Sequence, residues 1–222
     1  MPGVIARIML VDDHAMVRHG IAALINAQAD MEVIGEAAEV DEALSQITPY
    51  NFPDLVLVDL SLGGKSGFEL LKKLHLRFPL LPALVVSMYD EAEYAERVLR
   101  AGARGYVMKQ DAWEVLLVAI RQVLAGNIYL SEAMSSRLLE RVAQGGTEPV
   151  PPVNRLTPTE FEVLHLIGAG NTSQEIAALL QRSIKTIEAH RANIRIKLRL
   201  DDGADLNRFA ADWLRGQGGK FE

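Results

Sequence analysis

The feature that most constrains this chain is an alternation along its first half: short apolar runs take turns with amphipathic stretches of helical length. The runs at 5–11, 31–35, 55–58, 84–86 and 105–108 have strand length, and several are apolar on both faces. A strand apolar on both faces has to be covered on both, the situation of a parallel sheet sandwiched between helices. The segments between and after them, at 15–28, 40–48, 67–77, 91–101 and 112–125, are of helical length. Strands alternating with helices imply right-handed crossovers and a doubly wound α/β sheet. Five such units fit the flavodoxin-like (βα)5 order 2-1-3-4-5, although periodicity alone leaves other α/β orders open.

A different pattern follows. Residues 131–143 form one more helix, and the stretch Gln144 to Val153 then collects Gly145, Gly146, Pro149, Pro151 and Pro152 without periodicity. Prolines forbid helix and glycines loosen the chain, so this reads as a linker. Four helices with marked starts come next. Thr157-Pro158-Thr159-Glu160 is a capping box with proline at the first helical position, and Thr172-Ser173-Gln174-Glu175 is a second box. Gly168 and Gly170 can end the helix between them. Ser183 caps a helix over 184–199, and a last one over 204–215 runs into a glycine-rich tail. The turn at Gln181–Ser183 is short enough for a helix-turn-helix. The expected division is an α/β domain at 1–126, a helix and Gly/Pro-rich linker at 127–154, and an all-α four-helix domain at 155–222.

Charge separates the same two parts. The net charge of −6 argues against a general nucleic-acid coat. Residues 181–199, however, carry Arg182, Lys185, Arg191, Arg195, Lys197 and Arg199 against Glu188 alone. A phosphate backbone responds to local charge, so this segment is a candidate for DNA. The chain has no cysteine, which excludes disulfides, thiolate metal sites and cysteine nucleophiles. No apolar run approaches the ~20 residues of a membrane span, and the N-terminal run, broken by Arg7, is too short and charged for a signal peptide. The expected location is cytoplasmic, with no membrane partner.

In this strand assignment Asp12 and Asp13 end the first strand, Asp59 the third and Ser87 the fourth, while Lys109 follows the fifth. Ligands of open parallel sheets bind at that edge. Three converging carboxylates repel one another unless a hard cation joins them, and Mg2+ accepts one or two carboxylates together with water and phosphate oxygens. A lysine and a hydroxyl supply donors for a phosphoryl group. Nucleophile, metal, cation and hydroxyl are together what in-line phosphoryl transfer to a carboxylate requires.

Asp12-Asp13-His14, Asp59, Gly67, Ser87, Tyr106 and Lys109 resemble the receiver domain of bacterial two-component response regulators. The string from Val11 to Gly20 resembles the NarL/FixJ subfamily in particular. The resemblance implies that Asp59 accepts a phosphoryl group from a sensor histidine kinase. It also implies that Asp12, Asp13, Asp59 and the Ser61 carbonyl hold Mg2+, and that Lys109 pairs with the phosphoryl oxygens. Ser87 and Tyr106 would act as the switch, with Tyr106 following Ser87 inward. One departure stands out: where the family usually has Met-Pro after the acceptor, this chain reads Leu62-Gly63-Gly64-Lys65-Ser66-Gly67, and the loop should be more flexible. Tyr89, two residues past Ser87, is a candidate shield for the acyl phosphate.

Leu156 to Leu198 resembles the LuxR-type helix-turn-helix. Ile184, Ile187, Ile194 and Leu198 are the expected buried stripe of its second helix. The resemblance implies that Lys185, Glu188, Ala189 and Ala192 face the major groove of double-stranded DNA, that Thr186, His190 and Arg191 lie near phosphates or the groove edge, and that Arg195 is available for phosphate contacts. Glu188 and Ala192 stand where relatives are often basic; a glutamate can accept from a cytosine amino group and an alanine can touch a thymine methyl. The final helix, with Leu206, Phe209, Ala210, Trp213 and Leu214, divides between core and, by resemblance, a homodimer contact on DNA. Three other readings are weighed on sequence, of which a phosphorelay element using its tail for protein contacts is opposed by the basic segment at 181–199. A phosphohydrolase would need a general acid close after Asp59, where Ser61 stands. A vestigial receiver would bind DNA without phosphorylation.

Overall fold

The computed structural model describes residues 5–62, 65–143 and 152–215. They fall into two compact units that divide between Gly145 and Gly146. The first has five parallel strands, β1 Ala6–Val11, β2 Met31–Ala37, β3 Leu55–Val58, β4 Ala83–Ser87 and β5 Tyr106–Met108. Helices α1 Ala15–Asn26, α2 Val40–Gln46, α3 Gly67–Arg77, α4 Glu91–Arg100 and α5 Trp113–Leu124 connect and follow them. The spatial order is β2-β1-β3-β4-β5, the flavodoxin-like alternative among those that periodicity leaves open.

Strand alternation sorts the core. Ile8, Leu10, Leu55, Leu57, Leu84, Val86 and Val107 pack with Ile21 and Ile25 of α1 and Leu116, Ile120 and Val123 of α5. Their neighbours Met9, Val11, Val56, Val58 and Val85 are also buried. A side-chain period of two makes these the residues of the opposite face. The strand order reverses beside β1, and that is where ligands of such sheets bind.

The edge of the sheet beyond β5 is covered by residues that come after α5. Tyr106 donates its amide to the Tyr129 carbonyl at 3.0 Å, and Tyr129 donates to the Arg104 carbonyl at 3.0 Å. A sixth helix, α6 Glu132–Ala143, then packs on α4. The Ser131 amide donates to Glu91 Oε1 at 2.8 Å, Arg141 pairs with Glu96 at 2.8 Å, and Met134 is buried. This helix, placed with the linker on sequence, belongs to the first compact unit.

Of the expected linker, 144–151 lies outside the described residues. Val153, at its end, and Leu156 are buried in the second unit, in and just after a single 3-10 turn at Pro152–Arg155. Four helices follow, α7 Pro158–Gly168, α8 Ser173–Leu179, α9 Ile184–Leu198 and α10 Gly203–Leu214. Both capping boxes form as the sequence predicts, and Ser183 and Asp202 cap α9 and α10 through their side chains. Gly170 ends the α7 turn with a φ of 88°. Gly168 serves packing instead. A Cβ there would press on the Ala210 carbonyl, so the glycine permits the close approach of α7 and α10. Gln181, at φ 47°, makes the left-handed turn between α8 and α9.

Candidate functional site

The phosphoryl-transfer residues expected from sequence meet at the carboxyl edge of the sheet because of strand register. Leu10 pairs with Leu57 and Val11 with Val58, so Asp12 and Asp59 are the next residues on two adjacent strands. The Asp59 amide donates to the Val11 carbonyl at 2.8 Å and extends the ladder by one bond. On the far side Ser87 pairs with Met108, and the Lys109 amide donates to the Ser87 carbonyl at 2.8 Å.

Lys109 Nζ reaches Asp12 Oδ2 at 2.6 Å and Asp59 Oδ2 at 2.7 Å. Both carboxylates and the ammonium are buried. Asp13 is partly exposed, and His14 Nδ1 lies 2.7 Å from its Oδ1. One donor atom from each of Asp12, Asp13, His14 and Asp59 falls within 4.8 Å of the others. Three carboxylates compensated by one lysine leave an excess of negative charge in a mostly buried place, a donor set of hard oxygens suited to a divalent cation. His14 belongs to the motif but not to the site residues expected from sequence; its adjacency to the acidic pair is the available signal.

Burial pushes the Asp59 carboxyl up from its ordinary value to about 6, against the opposing pull of the Lys109 ammonium, while Asp12 adds to the rise. The Ser61 amide also bonds to Asp59 and stabilises its charge. Burial works against the Lys109 charge too, but Asp59 and Asp12 outweigh it and hold the ammonium above its ordinary range.

The loop after Asp59 is braced in a way the sequence does not suggest. Ser61–Leu62 and Lys65–Ser66 pair as a short antiparallel ladder, so residues flanking Gly63-Gly64 are held although the family's proline is missing. The two glycines themselves lie outside the described residues. Ser66 caps α3 through Phe68 N–H, and the Gly67 amide donates to the Leu60 carbonyl at 2.8 Å.

Ser87 is buried at the end of β4. Tyr106 is buried as well, its hydroxyl donating to the carbonyl of Tyr89 at 2.8 Å, while the Tyr89 amide donates to Ser87 Oγ at 3.4 Å. Burial raises its phenol well above the ordinary range. The ring therefore already occupies an inward position. Tyr89 stacks on Tyr94 of α4 with centroids 4.6 Å apart. Its ring is thus tied to α4, whatever shielding it provides.

In the second unit, α9 presents two faces. Ile187, Ile194 and Leu198 are buried as expected, but Ile184 is 50% exposed, which corrects the expected stripe. As the first residue of α9, directly after the turn, it lies beyond the packed part of the helix. Lys185, Glu188 and Ala189 are exposed, and Thr186, His190, Arg191, Ala192 and Arg195 are half-buried. Arg191 bonds Asn207 of α10 at 2.9 Å. Lys197, one of the six cations of the basic segment, is instead paired at 2.6 Å with buried Glu160 of α7. Two further residues of α9, Asn193 and Ile196, are not among those expected from sequence. Both are exposed, and Ile196, 74% exposed, shares the outward stripe with Lys185, Ala189 and Ala192 by helical spacing. No helix among the described residues is long and apolar enough to cross a membrane.

Comparison with known proteins agrees with both units. A model of the response regulator receiver domain matches residues 8–121, and one of the bacterial regulatory proteins of the luxR family matches 154–210. The oxygen regulatory protein NreC of Staphylococcus aureus (strain JH9) is 37% identical over 209 residues, spanning 92% of this chain and 96% of its own. RcsB from Salmonella enterica serovar Typhimurium, solved bound to promoter rprA in the presence of the phosphomimetic BeF3-, matches with a TM-score of 0.65 and 28% identity over 93% of this chain and 98% of its own. A LuxR-family two-component response regulator from Aurantimonas sp. SI85-9A1 has a TM-score of 0.58 and 34% identity, covering 63% of this chain and 99% of its own. The chain, a receiver domain joined to a LuxR-type DNA-binding domain, belongs to the NarL-type two-component response regulators.

Proposed function

We propose that this regulator is switched by phosphorylation of Asp59 and reads DNA with the exposed face of α9. The observation that carries the reading is Lys109 bridging Asp12 and Asp59 at 2.6 and 2.7 Å in a buried acidic cluster. In the reaction, an Asp59 carboxylate oxygen attacks the phosphorus of a kinase phosphohistidine. The P–N bond breaks as the acyl P–O bond forms, and the departing imidazole keeps the electron pair and takes up a proton. Asp12, Asp13, Asp59 and the Ser61 carbonyl are the residues that would hold Mg2+, which supplies positive charge against the phosphoryl oxygens. Lys109 supplies the matching charge from the protein.

After transfer the new phosphate needs donors, and Lys109 and the Ser87 hydroxyl provide them. Tyr106 is tied to Ser87 through Tyr89, whose carbonyl takes the Tyr106 hydroxyl and whose amide donates to Ser87 Oγ, and its own amide is bonded to the Tyr129 carbonyl that leads into α6. Phosphorylation thereby favours one packing of β5, α4 and α6, a population shift carried by a contiguous set of contacts. The output is transcriptional control in the cytoplasm, with the DNA-bound form a homodimer and the receiver catalysing only its own phosphoryl transfer and loss. On α9, Lys185, Glu188, Ala189 and Ala192 face the major groove, while Thr186, His190, Arg191 and Arg195 lie toward the phosphates.

The test pairs intact-mass measurement with DNA binding. Incubated with a small-molecule phosphodonor and Mg2+, the wild type should gain one hydroxylamine-labile phosphoryl group and bind a sequence selected from random DNA more tightly. Asp59→Asn should gain neither. Equal phosphoryl incorporation by Asp59→Asn refutes the acceptor assignment; DNA binding unchanged by phosphorylation supports the vestigial-receiver alternative instead.

A further inference from the structure

We infer that Arg18 is a positioning residue for the acidic cluster: anchored on Glu36, its guanidinium fixes the main chain at Asp12 and so sets how Asp12 and Asp13 are presented to a divalent cation. The inference rests on the reading of the cluster given above. Asp12 and Asp13 occupy the turn between β1 and α1, where the hydrogen bonds of strand and helix both run out. The Asp12 amide still reaches the Ala37 carbonyl at 3.1 Å, but the Asp12 carbonyl has passed the end of the strand. Arg18, one turn into α1, takes it: Nη1 donates to the Asp12 carbonyl at 2.6 Å.

The same guanidinium donates from Nε to Glu36 Oε2 on β2 at 3.1 Å. The Arg18 side chain is 15% exposed. The planar fork serves the two acceptors from separate, fixed nitrogens, Nη1 and Nε; a lysine would have to reach both from one compact ammonium. With its carbonyl held by Arg18, its Oδ1 by the His14 amide at 2.8 Å and its Oδ2 by Lys109, Asp12 is fixed at the main chain and at both side-chain oxygens. Asp13, the next residue, inherits that placement.

Glu36 has a second effect. A guanidinium beside three carboxylates is drawn toward them, where it would compete with a cation for the same oxygens. Pairing with Glu36 holds it on the main-chain side of Asp12. Removing either partner should therefore weaken cation binding, one by loosening the turn and the other by freeing a competing charge.

The experiment titrates the full-length protein with Mn2+ and reads free metal by electron paramagnetic resonance, alongside the Tm of the metal-free protein. Arg18→Ala should weaken Mn2+ binding about tenfold, a typical cost for loss of a group that orients a ligand. Arg18→Lys should recover part of that loss, and Glu36→Gln should weaken binding without a comparable fall in Tm. Wild-type affinity in Arg18→Ala overturns the inference. Where Arg18→Ala fails to fold, Glu36→Gln decides it on the same readout. Asp13→Asn separates the two levels. If it binds Mn2+ like the wild type, the cation reading fails and this inference with it; if Asp13→Asn loses affinity while Arg18→Ala and Glu36→Gln keep it, only the inference about Arg18 fails.

Discussion

Gly67 packs against Asp59 so closely that any Cβ at position 67 would overlap the Asp59 carbonyl oxygen and stand 2.7 Å from Leu60 Cα. The obstacles are backbone atoms, which cannot swing aside as a side-chain end can. The α3 N-terminus is thereby pressed onto the residue that carries the proposed chemistry. Gly67→Ala should destabilise the receiver by about 2–3 kcal/mol, the upper range for overpacking a filled site. Denaturant unfolding would measure it, and slower phosphorylation of Asp59 should accompany the loss. A variant as stable as wild type would show that α3 can shift at little cost.

Glu160 closes the α7 capping box on the Thr157 amide at 2.7 Å and receives Lys197 of α9 at 2.6 Å. Burial opposes its ionisation, but Lys197 and the Thr157 amide and hydroxyl outweigh that and hold the carboxyl below its ordinary value. A carboxylate whose folded pKa is depressed contributes stability above its unfolded pKa and loses it as pH falls through the folded value. The second unit should therefore weaken below roughly pH 4.5, the ordinary glutamate range. Glu160→Gln should flatten that acid limb and lower stability at neutral pH by about 1–3 kcal/mol. In a Trp113→Phe background, Trp213 alone reports on this unit by fluorescence. An unchanged acid limb would mean that other groups govern it.

How far the sequence reaches is clear from these two residues. The Thr157–Glu160 box is legible because capping is local and spaced by three residues. The Glu160–Lys197 pair is not, because nothing in sequence places α9 against α7. The acidic cluster is legible from strand ends, since parallel register carries Asp12 and Asp59 to one edge. Arg18 lies within the motif, yet sequence assigns it no role, because its acceptors are a main-chain carbonyl and a residue on another strand. Ile184 misleads for a related reason: helical period assigns a face but says nothing of where the packed scaffold stops.

Gly105 offers a check on the route from β5 to α6. A Cβ there would stand 2.6 Å from the Tyr129 carbonyl oxygen, the acceptor of the Tyr106 amide. Gly105→Ala should push Tyr129 off the sheet edge and speed hydrogen exchange at the Tyr106 amide at least tenfold, by about 1.4 kcal/mol of local opening. Asp59 should still accept a phosphoryl group, but phosphorylation should raise DNA affinity less than in wild type. Arg141→Ala, which removes the tie to Glu96, should act in the same direction more weakly. Full coupling in both variants would show that the switch signal leaves the receiver by another path.

Lys185 and Glu188 are both exposed on α9, yet their charges predict opposite signatures on DNA. A lysine that meets phosphate adds affinity without sequence information, so Lys185→Ala should weaken binding to all sequences alike and reduce the salt-dependence slope by about 1. Glu188 repels phosphate and, apart from steadying Arg191 at 4.0 Å, can favour binding by accepting from a base, for which a cytosine amino group in the major groove is the matching donor. Glu188→Ala should accordingly relax preference at one base-pair position, by about 1–3 kcal/mol of discrimination, while raising affinity for non-cognate DNA. Selection from random DNA by the wild type and both variants, followed by anisotropy titrations across salt, measures both effects. If Glu188→Ala tightens binding equally on every sequence, its charge is only a general repulsion, and the specificity of α9 rests on its other exposed residues, Asn193 and Ile196 among them.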